Sequence, residues 1–195
     1  MTAFFVSLVM EEKFILASAS PRRRELLLKA GQSFKIKVAD TNESFDENLS
    51  PEEVVKLLAY KKASKVYEIE KRPTLGADTV VVFNGKILGK PKDFRQAKEM
   101  LLSLSANVHE VITGVALITA KKTVMEYVKT SVKMNKLSDE FIESWINSGQ
   151  AYDKAGAYAV QAGGFVSEYF GSYTNIVGLP MEKVEQLLKE FSLWQ

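Results

Sequence analysis

Three runs of strand-like residues constrain this chain more than anything else in it. "TLGADTVVVFNGKILGKP" (74–91) reads as a strand, an Asn-Gly turn at Asn84-Gly85 and a returning strand, the short connection of an antiparallel hairpin. "HEVITGVALITA" and "KTVMEYVKTSVKMN" follow as two long strands expected to pair. Helical segments stand between and around them. Ser50 and Glu53 form a capping box before a helix running to about Lys71, Asp93 caps a second helix and Ser138 a third, and a last one runs from Pro180 to about Phe191. "FKIKVAD" alternates like a half-buried strand, and 156–180 reads as short strands and turns. Hairpins mixed with helices predict an α/β domain built on a long mixed sheet, not a doubly wound nucleotide fold. A Walker A sequence and a paired-glycine dinucleotide fingerprint are both missing.

At 195 residues, without a linker or repeat, the chain is expected to be one domain over 1–195. "MTAFFVSLVM" lacks a basic n-region and runs into Glu11-Glu12, so it does not read as a secretory signal, and it is too short to span a membrane. Residues 1–10 read as an extension, with Met10 an alternative start opening the first strand. A net charge of +2 argues against a nucleic-acid partner, and no segment argues for a membrane partner. The chain has no cysteine, which fits a reducing cytoplasm and excludes thiolate metal sites and cysteine nucleophiles. One histidine, His109, leaves little for a serine–histidine triad, and it reads as structural.

Carboxylates, lysines and arginines remain, the kit for phosphate esters and a hard divalent cation. In "ILASASPRRRELLLKAG" (15–31), Ser20 is placed as N-cap and Pro21 as first helical residue, so Arg22, Arg23 and Arg24 form the first turn. The helix dipole disfavours cations there. Either they fan into water, or serine hydroxyls, backbone N–H groups and guanidinium forks hold an anion. Asp78, between Gly76-Ala77 and a β-branched apolar run, is either a capping residue at the mouth of a strand or a paired or metal-bound carboxylate. Glu43 in the acidic loop "TNESFDENLS" is either solvated or a second oxygen ligand. Lys90, held between Gly89 and Pro91, is better fixed than most surface lysines, while Lys62 either reaches the same place or faces solvent. In "YDKAGAYAVQAGG", Gln161 offers an amide able to read a base edge, with small residues that either admit a ligand or make tight turns.

Six co-linear motifs, "LASASPRRRELL", "GADTVV", "GKP", "HEVITGVAL", "DKAGAYAVQ" and "GSYTNIVGLP", resemble the Maf family of nucleoside triphosphate pyrophosphatases, also described as septum-formation inhibitors. The resemblance runs from about Ile15 to the last helix. It implies a long twisted mixed sheet flanked by helices, two lobes and a central cleft. It also implies hydrolysis of a nucleoside triphosphate to monophosphate and pyrophosphate, with Mg²⁺ or Mn²⁺, in a homodimer. Carried over by motif, Asp78 matches the proton-accepting carboxylate, while Glu43, Lys62 and Lys90 match the other charged positions. Asp78 and Glu43 would share the metal. Arg22, Thr79 and Gln161 match positions tied to substrate choice; Ser18 and Ser20 would stand around the phosphates, Arg23 would either contact them or support the fold, and Arg24 would point outward. "GADT" with "DKAGAYAVQ" looks like the branch acting on dTTP and UTP. The alternatives are a pyrophosphatase for modified purines (7-methyl-GTP or ITP type) and a non-catalytic nucleotide-binding regulator of cell division. Arg24 and Val160 depart from the more usual residues at their positions.

Overall fold

Strands and helices fall where periodicity and capping residues put them, with three differences. The computed structural model describes residues 11–195, so the Met10 start lies outside the described residues. Strand β1 (Phe14–Leu16) leads into helix α1 (Pro21–Lys29), then β2 (Phe34–Ile36), helix α2 (Pro51–Glu70), β3 (Thr74–Phe83) and β4 (Lys86–Leu88). Helix α3 (Phe94–Leu104), β5 (Val108–Ile118), β6 (Thr123–Met134), helix α4 (Asp139–Asn147), β7 (Val166–Phe170), and helices α5 (Tyr173–Val177) and α6 (Met181–Glu190) complete the chain. Of "FKIKVAD", only the first three residues pair; beyond Ile36 the chain leaves the sheet. Between 155 and 180 there is a single strand. Two 3₁₀ turns and α5 take the rest, because Ser172 accepts from the Asn175 N–H and nucleates a short helix. Asp78 lies inside β3 and not at its mouth.

The sheet runs β2-β1-β3-β5-β6-β7, with β4 folding back on β3 at the Asn84-Gly85 turn. β1 is parallel to β2 and β3, and the later pairings are antiparallel. Against its outer edge β3 meets β1 at Thr74–Leu75 and β4 at Val81–Phe83. No strand pairs with residues 76–80 on that edge among the described residues. The chain therefore leaves a gap in its own sheet.

The two faces of β3 and β5 are dressed differently. On one, α2 seats Val55 against Val80, Val82 and Ile112, and Ala59 and Ala63 against Ala116 and Ile118. Helix and sheet come so close that a Cβ on Gly76 would lie 2.3 Å from the Ala59 carbonyl oxygen, and one on Gly114 2.3 Å from that of Val55. Glycine inside a strand is tolerated here because another backbone occupies the space. On the opposite face two apolar clusters stand apart. Leu75, Ala77, Val115 and Leu117 pack with α6 through Leu187 and Leu188. Val81, Val111 and Val132 pack with α3, α4 and Phe165. Thr79 and Thr113, paired across the strands, interrupt the apolar row between them. Two lobes and a cleft follow from that interruption. Among the described residues, no helix is long and apolar enough to cross a membrane.

Candidate active site

A cleft of about 1510 Å³ opens at the gap in the β3 edge. Ser18, Ser20, Arg22, Arg23, Glu43, Lys62, Asp78, Thr79, Lys90 and Gln161, the residues singled out from sequence, all line it. Asp78 is 9% exposed on the α2 face of β3. Lys62 leaves α2 one turn after Ala59 and bonds Asp78 Oδ1 through Nζ at 2.6 Å. The close seat of α2 over Gly76 and Gly114 makes that reach short; Gly114 is the residue directly opposite Asp78. The same Nζ lies 2.8 Å from Glu43 Oε1, so the acidic loop folds onto the site. The bond from Lys62 holds the Glu43 carboxyl below its ordinary pKa, with the charges of Lys90 and Arg23 adding to it. Lys90 is exposed at the rim, on a loop whose Gly89 carbonyl accepts from the Gly156 N–H at 3.1 Å.

Across the gap stands the start of α1. Ser20 occupies the N-cap without bonding its own helix through its side chain. Its N–H bonds Ser18 Oγ at 3.2 Å, a turn that aims both serines at the cleft. The three arginines separate. Arg24 is exposed. Arg22 is partly exposed at the rim, 3.7 Å from Asp153, a pair of little energetic worth in solvent. Arg23 turns inward and uses four of its five N–H donors. Nε bonds the Gly178 carbonyl at 2.8 Å; Nη1 bonds Ser18 Oγ at 3.1 Å and the Ala77 carbonyl at 2.8 Å; Nη2 bonds Thr79 Oγ1 at 3.1 Å. Burial pulls this guanidinium below its ordinary pKa and the Asp78 charge opposes the pull, leaving a cation. Its bonds within the protein tie the serine turn, β3 and the α5–α6 connection together.

Thr79 is equally committed. Its Oγ1 lies 3.0 Å from Thr113 Oγ1, and Thr113 donates its one proton to the Asn175 carbonyl at 3.1 Å. Thr79 is therefore the donor in the threonine pair and the acceptor from Arg23. Towards the cleft it offers a lone pair. Asn175 is fully buried in α5, its Nδ2 bonding the Val111 carbonyl and Thr130 Oγ1, each at 2.9 Å. Gln161 stands exposed on the turn Val160–Ala162 at the cleft's edge. Gly156 has a packing explanation: its φ is +68°, and a Cβ would press on Val81 at 3.1 Å. His109 is structural, 2% exposed, its Nε2 2.7 Å from the Tyr158 hydroxyl. Burial lowers its pKa to about 4 and raises that of Tyr158.

Asp78 and Glu43 are the two carboxylates of the cleft that meet at the Lys62 ammonium. Both are hard oxygen donors converging on one point, now bridged by the Lys62 ammonium. Among the described residues no cluster of three metal-ligating side chains occurs. Such a pair fits a Mg²⁺-type cation that takes its remaining ligands from phosphates and water, and does not suit a resident metal caged by protein.

A family model described as Maf-like protein matches residues 13–191. The chain belongs to the Maf family. A relative from Bacillus cytotoxicus named dTTP/UTP pyrophosphatase is 46% identical over 183 residues, 92% of this chain and 96% of its own length. One from Bacillus cereus with the same name is 45% identical over 185 residues, with 93% and 91% covered. Among solved structures, the Staphylococcus aureus Ham1 protein shares the fold of this Maf chain, with a TM-score of 0.54 at 11% identity over 91% of this chain and 98% of that one. Thr113, Asn175, Gly114 and Gly178 escaped the sequence reading. A threonine and a glycine breaking the apolar run "VITGVALI" were the available signal.

Proposed function

We propose that this Maf protein hydrolyses a pyrimidine nucleoside triphosphate, dTTP or UTP, to the monophosphate and pyrophosphate. The observation that carries the reading is the gap in β3. It sets Asp78, Lys62 and Glu43 on one side of a cleft and the serine–arginine start of α1 on the other. The names of the Bacillus relatives support the reaction and the bases.

In this mechanism Asp78 orients a water towards the α-phosphorus and accepts its proton. Lys62 fixes the Asp78 carboxylate in place for the water. Arg22, Lys90 and the hydroxyls of Ser18 and Ser20 face the phosphate chain and stabilise charge growing on the departing pyrophosphate. Arg23 holds the serine turn in place. A divalent cation shared by Asp78, Glu43 and the phosphates would neutralise phosphate charge when bound. Thr79, able only to accept, takes the imide N–H of uracil or thymine, whereas cytosine presents an unprotonated ring nitrogen at that place. A site built to satisfy one hydrogen-bond pattern rejects the other because it leaves polar groups unpaired. Gln161 closes the base edge from the rim. The reading includes a homodimer, which sedimentation of the purified chain checks, and a cytoplasmic location, which cell fractionation checks.

The test is pyrophosphate release from dTTP, UTP, CTP, 7-methyl-GTP and ITP, with Mg²⁺, with Mn²⁺ and with chelator. Metal-dependent release led by dTTP and UTP is expected. Release led by a purine would overturn the base assignment, and tight binding without release would overturn the reaction.

A further inference from the structure

Thr113 lies on β5 beneath Thr79, fully buried, where no substrate reaches it. Nothing about packing asks for a hydroxyl there: the neighbours along that face of β5, Val111 and Val115, are valines belonging to the two apolar clusters. The hydroxyl is nevertheless fully used, as donor to the Asn175 carbonyl at 3.1 Å and as acceptor from Thr79 at 3.0 Å. We propose that Thr113 is a positioning residue that sets the base preference of the site by taking the proton of Thr79.

The argument is one of proton count. Arg23 Nη2–H donates to Thr79 Oγ1, Thr79 to Thr113, and Thr113 to a peptide carbonyl. Each hydroxyl has a single proton, and both ends of the chain are fixed: a guanidinium only donates and a carbonyl only accepts. Reversing the threonine link would take the Thr113 proton off the Asn175 carbonyl and leave the Thr79 proton only the Gly178 carbonyl at 3.4 Å inside the protein. Thr79 is forced to present a lone pair to the cleft, and the force comes from a residue outside the cleft. The other internal acceptor within reach of Thr79, the Gly178 carbonyl, is at 3.4 Å and already takes Arg23 Nε at 2.8 Å. If Thr113 could not accept, the Thr79 proton would be free to turn towards a ligand and serve cytosine as well as uracil. The inference rests on the reading of Thr79 proposed above.

Steady-state kinetics with UTP and CTP, on the unaltered chain, Thr113→Val and Thr113→Ser, test it. Valine keeps the shape and removes the acceptor; serine keeps the acceptor. The valine variant is expected to narrow the UTP-to-CTP ratio of kcat/KM by about tenfold, with the serine variant keeping the original ratio. Equal loss of both activities in the valine variant, with the ratio unchanged, would overturn the inference and leave a merely structural threonine. So would a serine variant that behaves like valine. Circular dichroism checks folding, and if the valine variant does not fold, Thr113→Ala reads the same ratio against the same criteria. An unaltered chain that cuts UTP and CTP equally would overturn the base reading itself, and this inference with it.

Discussion

The two faces of β3 solve the same task with opposite chemistry. On the α2 face, charge meets charge: Lys62 stands between Asp78 and Glu43, and the helix sits against two glycines to bring it there. On the other face the polar groups are mostly neutral and tied into a chain of hydroxyls, with Arg23 as its one cation and its last acceptor a buried backbone carbonyl. The first arrangement leaves a reactive carboxylate available to a water, and its ions can exchange partners when a substrate enters. In the second, both threonine protons are committed, and neither has an alternative partner of equal quality. Chemistry belongs to the adaptable face and recognition to the fixed one.

The largest effect that would break this division is on the charged face. Asp78→Asn should cut pyrophosphate release by about a hundredfold or more while the circular dichroism spectrum stays the same, as expected on removing a principal electrostatic group. Wild-type turnover in that variant would remove Asp78 from the chemistry. Next comes the seat of the helix. Gly114→Ala puts a Cβ 2.3 Å from the Val55 carbonyl oxygen, and neither backbone can yield cheaply. A loss of up to about 3 kcal/mol is expected, read by urea denaturation, together with a fall in kcat as Lys62 is pushed from Asp78.

Acid separates the faces in another way. His109 sits on the hydroxyl face of β5 with a pKa lowered to about 4 by burial, against 6.5 when unfolded. The unfolded chain therefore takes up a proton first as pH falls. Stability contributed by neutral His109 is complete above 6.5 and drains away down to about 4. Between pH 6.5 and about pH 5 the loss should be roughly 2 kcal/mol, and His109→Gln should flatten that slope in pH-dependent unfolding. Glu43, held below its ordinary pKa by Lys62, stays ionised over the same interval. The smallest effect is at the start of α2. Ser50→Ala removes the side-chain half of a capping box, leaving the backbone N–H at that position on Glu53, and should cost about 1 kcal/mol, lowering Tm by a few degrees without altering base preference.

Local chemistry made much of this legible beforehand. Ser50, Asp93 and Ser138 each accept from the backbone N–H three residues on, as their positions before apolar helices imply. The hairpin turns at Asn84 and Gly85, both with positive φ. What stayed hidden depends on distance along the chain. That Lys62 points to Asp78, and not to solvent, follows from the depth at which α2 settles, set by Gly76 and Gly114. That Arg23 differs from Arg22 and Arg24 follows from acceptors 54 to 155 residues away. The short helix α5 was unreadable because its buried Asn175 looks, in sequence, like a turn residue.

The gap in β3 has one more consequence, for the behaviour of the protein in a crowded solution. An open sheet edge invites foreign strands, and most proteins blunt theirs with charge or cover. Here β1 and β4 shut the opening at both ends, so that, among the described residues, 76–80 alone are bare on that edge, about 17 Å of backbone at 3.3 Å per residue. The Ala77 carbonyl within it is already occupied by Arg23. A nucleotide can enter such a notch, but an aggregating strand would collide with a neighbour before gaining its third or fourth hydrogen bond. The Maf cleft exposes main chain for a ligand without turning that exposure into a seed for fibrils.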